Sequence, residues 1–158
     1  GYSGCIGEIG HLPVDPNGFA CPCGQRGCLE TVASGGAVAK LWPSANPPMP
    51  DLIRKARQGD EHANDVLGKV AHGMGDVIQI VAQAYNPQRI IIGGGMAKTG
   101  NYLIEVIQAE LSRRAEGCRF LNTLDIASKI RIAAVDKPIG AIGAALAAKR
   151  AQLGNQTM

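Results

Sequence analysis

No apolar run in this sequence approaches the roughly 20 residues that a membrane-spanning helix needs. The opening Gly1-Tyr2-Ser3-Gly4 also lacks a basic segment leading into an apolar one, as a secretion signal would require. These two absences argue against a helical membrane protein and leave a soluble, cytoplasmic protein as the expectation. Charge of one sign is scarce too. The formal net charge is only +3, and the Lys and Arg residues are scattered along the chain. A nucleic-acid surface needs them gathered on one face or stripe, so none is expected within these residues. Internal repeats and low-complexity tracts are missing, which removes repeat arrays and disordered linkers.

What is present is a chain of 158 residues with 46% hydrophobic and 18% charged residues, enough for a single domain with its own core. Its 21 glycines point to tight turns and close backbone approaches. Gly, Pro, Asp and Asn recur every few positions from Gly1 to Gly27, so that segment reads as turns with short extended pieces. A helix is expected from Leu29 to Leu41, broken by Trp42-Pro43-Ser44-Ala45-Asn46-Pro47-Pro48 as a surface loop. Ala63, Val66, Leu67, Val70, Met74, Val77, Ile78, Val81, Ala82 and Tyr85 then recur at three- and four-residue spacing, the pattern of a long amphipathic helix. Asn86-Pro87 should stop it, and Arg89-Ile90-Ile91-Ile92 should form a buried strand running into Gly93, Gly94 and Gly95. Leu103, Ile104, Ile107 and Leu111 mark another helix, Ile130 to Val135 another strand, and Ile139 to Lys149 a closing helix whose Gly140 and Gly143 permit close packing. Two strand-helix pairs make the fold α/β.

Five cysteines are present, and three of them crowd into Cys21-Pro22-Cys23-Gly24-Gln25-Arg26-Gly27-Cys28. Three thiols separated by turn-forming glycines are not core patterning, and without a secretion signal a disulfide framework is the poorer explanation. A structural zinc site wants four soft or borderline ligands in a tetrahedron, and Cys21, Cys23 and Cys28 supply three. The fourth is His11, which Pro13, Pro16 and Gly18 can turn back toward the cysteines, or Cys5. His62 and His72 have no metal-type partner at matching spacing and read as exposed helix residues. Cys118 reads as packing or surface. Arg113-Arg114 and Lys149-Arg150 sit near helix ends, where cations favour the macrodipole.

Gly7-Glu8-Ile9-Gly10-His11 followed by Cys21-Pro22-Cys23-Gly24-Gln25-Arg26-Gly27-Cys28-Leu29-Glu30 resembles the signature of the ROK family of sugar kinases and sugar-responsive repressors. There a histidine precedes a C-x-C-G-x-x-G-C-x-E run, and every position of that run is filled here. Asn86-Pro87 through Gly93-Gly94-Gly95 is similar to the family's adenosine-side motif. The resemblance extends over essentially the whole chain. It implies the C-terminal lobe of an actin-like, ribonuclease-H-like fold over residues 1–158, with a zinc loop over residues 11–28. His11, Cys21, Cys23 and Cys28 would hold zinc beneath a sugar site. Glu8, His11 and Glu30 would contact the hydroxyls of a sugar or amino-sugar, phosphorylated or not. Gly93, Gly94 and Gly95 would face a nucleotide in an intact parent. A homo-oligomer is implied, with DNA reached only through an N-terminal domain outside this chain.

Family kinases also carry a D-x-G-x-T phosphate loop and, just before the signature, an aspartate that serves as general base; this sequence has neither. Gly1 to Gly7 resembles the tail of the family's second phosphate loop, so a truncated chain is expected. The run Cys28-Leu29-Glu30-Thr31-Val32-Ala33-Ser34 is similar to that of the repressors. Val135-Asp136-Lys137-Pro138-Ile139-Gly140 departs from the Asn-Asp-Ala-Gly run of the kinases. Phosphoryl transfer depends on positioning the phosphates and the base. The isolated chain is therefore expected to show no sugar-dependent ATP hydrolysis in a coupled assay with glucose, N-acetylglucosamine or N-acetylmannosamine. Turnover above a zinc-chelated control would contradict the reading of a missing half.

Overall fold

A computed structural model describes Tyr2 and residues 4–155, leaving aside the side chains of Met96, Ala97 and residues 153–155. Gly1 and Ser3 of the phosphate-loop-like opening lie outside the described residues. The chain is mixed α/β and mostly helical. After a turn-rich start come α1 (Leu29–Ala33), α2 (Gly35–Leu41), α3 (Pro48–Arg57), α4 (Glu61–Tyr85), β1 (Ile90–Ile92) and α5 (Gly94–Ala97). Then follow α6 (Asn101–Ala115), α7 (Arg119–Leu124), α8 (Ile126–Lys129), β2 (Ile130–Ile132) and α9 (Ile139–Asn155). The strands β1 and β2 pair in parallel, Ile90 opposite Ile130 and Ile92 opposite Ile132.

Helix α4 is the spine, packing against α1, α3 and α6. The Asp60 carboxylate accepts from the Ala63 N–H at 2.9 Å and caps its start. Asn86 ends it in the left-handed region at φ 42°, its N–H bonded to the Ala82 oxygen. Ala63, Val66, Leu67, Val70, Val77, Ile78 and Ala82 are buried, as the spacing requires, and Leu103, Ile104, Ile107 and Leu111 of α6 meet them. Met74 and Val81 are half-buried, and Tyr85 at the helix end is exposed rather than part of the apolar face.

Several expectations need correction. The helix expected from Leu29 to Leu41 breaks at Ser34, whose extended backbone and side-chain bond to the Ala37 N–H start a second helix. The expected surface loop contains buried Trp42, whose Nε1 donates to Asp51 at 2.9 Å and whose ring stacks on His62. That loop also ends sooner, because Pro48 begins α3, a position where proline's missing N–H costs nothing. Strand β1 is not buried: Ile91 is 66% exposed, while Ile90 and Ile92 pack half-buried against the core. Strand β2 ends at Ile132 rather than Val135. Gly140 and Gly143 mediate no close packing, since nothing lies within 4 Å of a Cβ at either and residues 139–152 are exposed.

Arg114 does more than face a helix end. Its Nη1 donates to Asp76 on α4 at 2.7 Å and its Nε to Glu110 at 2.8 Å, clamping α6 to α4. His72 and Arg113 join through the same Glu110 carboxylate at 3.0 and 2.9 Å. His72 is exposed as expected, but paired. Burial disfavours the charged Glu110 carboxylate, yet the bonds from Arg113, Arg114 and His72 outweigh it and hold the carboxyl at about 2, below its ordinary 4.5. A carboxyl depressed on folding stabilises the fold above its unfolded pKa, and that stabilisation fades as pH falls through the folded value. Glu110→Gln should therefore cost about 2 kcal/mol at pH 7, as loss of charge-assisted bonds does. The difference from wild type should shrink between pH 4.5 and about 2. Denaturant melts at pH 7 and pH 3 check this, and an undiminished gap at pH 3 would refute the ion-pair origin.

Candidate functional site

The first candidate residues sit on a short 3₁₀ turn, Ile9–His11, closed by the Ile9 N–H on the Gly7 oxygen and the His11 N–H on the Glu8 oxygen. Three residues per turn bring Glu8 and His11 onto one side; Glu8 Oε2 lies 4.0 Å from His11 Nε2. The chain then doubles back. Val14 and Asp15 N–H groups both donate to the Gly27 oxygen, Gly27 N–H donates to the Phe19 oxygen, and Cys21 N–H donates to the Gln25 oxygen. Bridges at Pro13–Cys28 and Ala20–Arg26 complete the loop, and Arg26 Nη1 braces it on the Gly18 oxygen at 2.8 Å.

This folding brings one ligand atom each from His11, Cys21, Cys23 and Cys28 within 4.8 Å of one another. His11 Nδ1 is 3.6 Å from Cys21 Sγ, and Cys23 Sγ is 3.7 Å from Cys28 Sγ. A disulfide would bring sulfurs to about 2.05 Å. Cys21 and Cys28 are buried while Cys23 is exposed. Hydrogen bonds from the Gln25 backbone and side chain pull the Cys23 thiol down to about 6, whereas burial, reinforced by the neighbouring sulfurs, pushes Cys28 up to about 12. A cation placed among the sulfurs would ionise all three together. The described residues thus hold a donor set able to bind a metal ion, with His11 in it; Cys5, the rival fourth ligand, is not part of the cluster.

Cys28 is also the N-cap residue of α1, so the loop's last thiol runs directly into the helix that carries Glu30. Glu30 Oε2 lies 3.7 Å from His11 Nδ1. Glu8, His11 and Glu30 therefore share one face, with side chains 68%, 35% and 56% exposed, open to a ligand from solvent. Two carboxylates and an imidazole edge offer acceptors suited to hydroxyl groups. Gly93, Gly94 and Gly95 follow β1, where Gly95 borders a mainly apolar cavity of about 540 Å³ with Val38, Pro48, Met49, Lys98 and Thr99. Sequence reasoning missed Gln25, which bonds both His11 and Cys23, and the approach of Gly27 to Asp15. The first has no spacing signal; of the second, the sequence offered only that the glycines between the cysteines form turns.

A profile of the ROK family matches residues 1–151. The chain belongs to the ROK family. Its relatives include a glucokinase of Halalkalibacterium halodurans, 32% identical over 99% of this chain and 53% of that protein. They also include the DNA-binding transcriptional dual regulator NagC of Escherichia coli, 32% identical over 73% of this chain and 31% of that protein. Among solved structures, a ROK hexokinase from Thermus thermophilus superposes with a TM-score of 0.64 at 28% identity, covering 82% of this chain and 43% of the hexokinase. The chain thus spans about half the length of the glucokinase and under a third of the regulator.

Gly27 decides whether the loop can close. It sits at φ +68°, and a Cβ there would lie 1.5 Å from the Asp15 oxygen. Gly27→Ala is expected to open the loop at a cost above 3 kcal/mol, since positive-φ strain and a backbone clash combine (roughly 1–3 kcal/mol for the strain alone). Thermal melting and metal analysis of the purified variant check this, and a melting point within 2 °C of wild type would contradict the geometry.

Proposed function

We propose that this chain is the zinc-bearing, sugar-binding lobe of a ROK-type transcriptional repressor. The observation that carries the reading is the convergence of Glu8, His11 and Glu30 above the four-donor cluster. Zinc fits that cluster on the donor chemistry and on the spacing. At a Zn–S distance of about 2.3 Å the sulfurs of a tetrahedral site stand about 3.8 Å apart, close to the 3.7 Å between Cys23 and Cys28. His11 Nδ1 faces the sulfurs, which leaves Nε2 on the side of Glu8, free to meet a hydroxyl. When bound, zinc supplies structure: a closed four-ligand site whose binding energy adds to folding. Glu8 and Glu30 accept from sugar hydroxyls, and the imidazole, its ring fixed by one nitrogen, orients through the other.

The repressor reading rests on Cys28-Leu29-Glu30-Thr31-Val32-Ala33-Ser34, on the departure at Val135 to Gly140, and on the likeness to NagC. In that reading the protein is cytoplasmic and homo-oligomeric. A sugar or amino-sugar shifts an equilibrium coupled to a DNA-binding domain outside these residues. Among the described residues no helix is long and apolar enough to cross a membrane. A second reading, the corresponding lobe of an ATP-dependent sugar kinase, is favoured by the glucokinase likeness and by the apolar cavity beside Gly95, which would take a nucleotide base.

The purified chain should carry one zinc per molecule. Cys23→Ser and His11→Ala should lose it and melt earlier, by several kcal/mol for a structural site, while Cys5→Ser and Cys118→Ser should keep it. Loss of zinc from Cys5→Ser but not from His11→Ala would falsify the ligand set. Glu30→Gln should retain zinc and bind N-acetylglucosamine, N-acetylmannosamine or glucose at least tenfold more weakly by calorimetry. Unchanged affinity would remove Glu30 from the sugar site. Sugar binding that requires added nucleotide would favour the kinase lobe.

A further inference from the structure

Cys23 is the exposed member of the thiol cluster, while Cys21 and Cys28 are covered. Three thiolates and a divalent ion carry a net negative charge, and the exposed sulfur is where protons, chelators and water arrive first. Against that sulfur stands Gln25. Its Nε2 lies 3.5 Å from Cys23 Sγ and donates at 3.0 Å to the main-chain oxygen of His11. One amide group, with two hydrogens, therefore serves a thiol ligand and the peptide of the histidine ligand fourteen residues earlier. The spacing of the cysteines asks only for a turn between Gly24 and Gly27, which any polar residue could occupy.

The geometry points to Gln25 as a positioning residue of the metal site. It guards the exposed thiolate with an N–H···S bond and fixes the His11 peptide so that the imidazole stays within reach. This rests on the metal reading given above. Hydrogen bonds to metal-bound thiolates draw electron density from sulfur, and partners that orient metal ligands typically change metal affinity by about 10–100-fold when removed.

The test uses Gln25→Met, which keeps the length of the side chain and removes both hydrogens. With Co²⁺ in place of zinc, the sulfur-to-metal charge-transfer band of Gln25→Met should move to longer wavelength, because a sulfur without its N–H donor gives up an electron more readily. Zinc should pass to an excess of chelator about tenfold faster than from wild type. Gln25→Lys, which keeps an N–H donor at similar reach, should return the band and the rate toward wild type. A band and a release rate in Gln25→Met equal to wild type would overturn the role of Gln25 while leaving the metal site standing. Should wild type itself bind neither Co²⁺ nor zinc, the metal reading falls and this inference with it. A general loosening of the loop would lower the melting point of Gln25→Met without moving the band, and that result also counts against the proposal. If Gln25→Met does not fold, Gln25→Leu, which also removes both hydrogens, takes its place with the same outcomes.

Discussion

Three sulfurs and an imidazole nitrogen held within 4.8 Å of one another set the terms for the first third of the chain. Thiols are weak donors and weak acceptors, so such a cluster gains little from its own hydrogen bonds. Hydrogen bonds from Gln25 favour the Cys23 thiolate, whereas burial, with the neighbouring sulfurs adding to it, holds the Cys28 thiol protonated. A shared cation would relieve both difficulties. The loop is drawn tight around that centre by main-chain bonds to Gly27 and Phe19 and by the brace from Arg26. Little apolar surface is available between residues 4 and 20, where most side chains are exposed, so packing alone could not hold this segment.

The rest of the protein supplies a rigid floor. Helix α4 carries Gly73 at the point where the loop lands; a Cβ there would press within 3.0 Å of Val32 and 3.5 Å of Val14. The missing side chain lets α1, with Glu30 in its first turn, lie flat against the spine. On the other side of α4 the Arg114 clamp ties down α6, which in turn packs on β2 and α8. The site is thus a loop fixed to one long helix, and its carboxylates inherit their separation from that attachment.

What could be read in advance follows from how local each cause is. Helices α4 and α6 were legible because their apolar residues repeat over many turns, and the cysteine loop because its ligands lie close in sequence. The break at Ser34 was not, since no proline interrupts Leu29 to Leu41 and one hydroxyl redirects the backbone. Helix α3 was hidden by Pro47 and Pro48, which read as breakers although a proline suits a first helical turn. Exposure of Ile91 depends on what covers a strand, which three isoleucines in a row cannot reveal. The Arg114–Asp76 bond joins residues 38 apart, beyond any periodicity. In the site, His11 was legible as a ligand candidate, but Gln25 was invisible because its work is done by one amide reaching back across the loop.

The separation of the ligands along the chain also sets an order of assembly. Cys23 and Cys28 are five residues apart, whereas His11 stands ten before Cys21. Shorter loops close faster and at lower entropic cost. In the zinc reading the three sulfurs capture the ion first, and the imidazole completes the shell last. The turn that carries Glu8 and His11 is then the final piece to be organised. A molecule short of its fourth ligand would already possess a knotted loop and an intact helical floor, yet present no sugar face. Readiness to meet a sugar would in that reading wait on the imidazole, the one ligand that belongs to both sites.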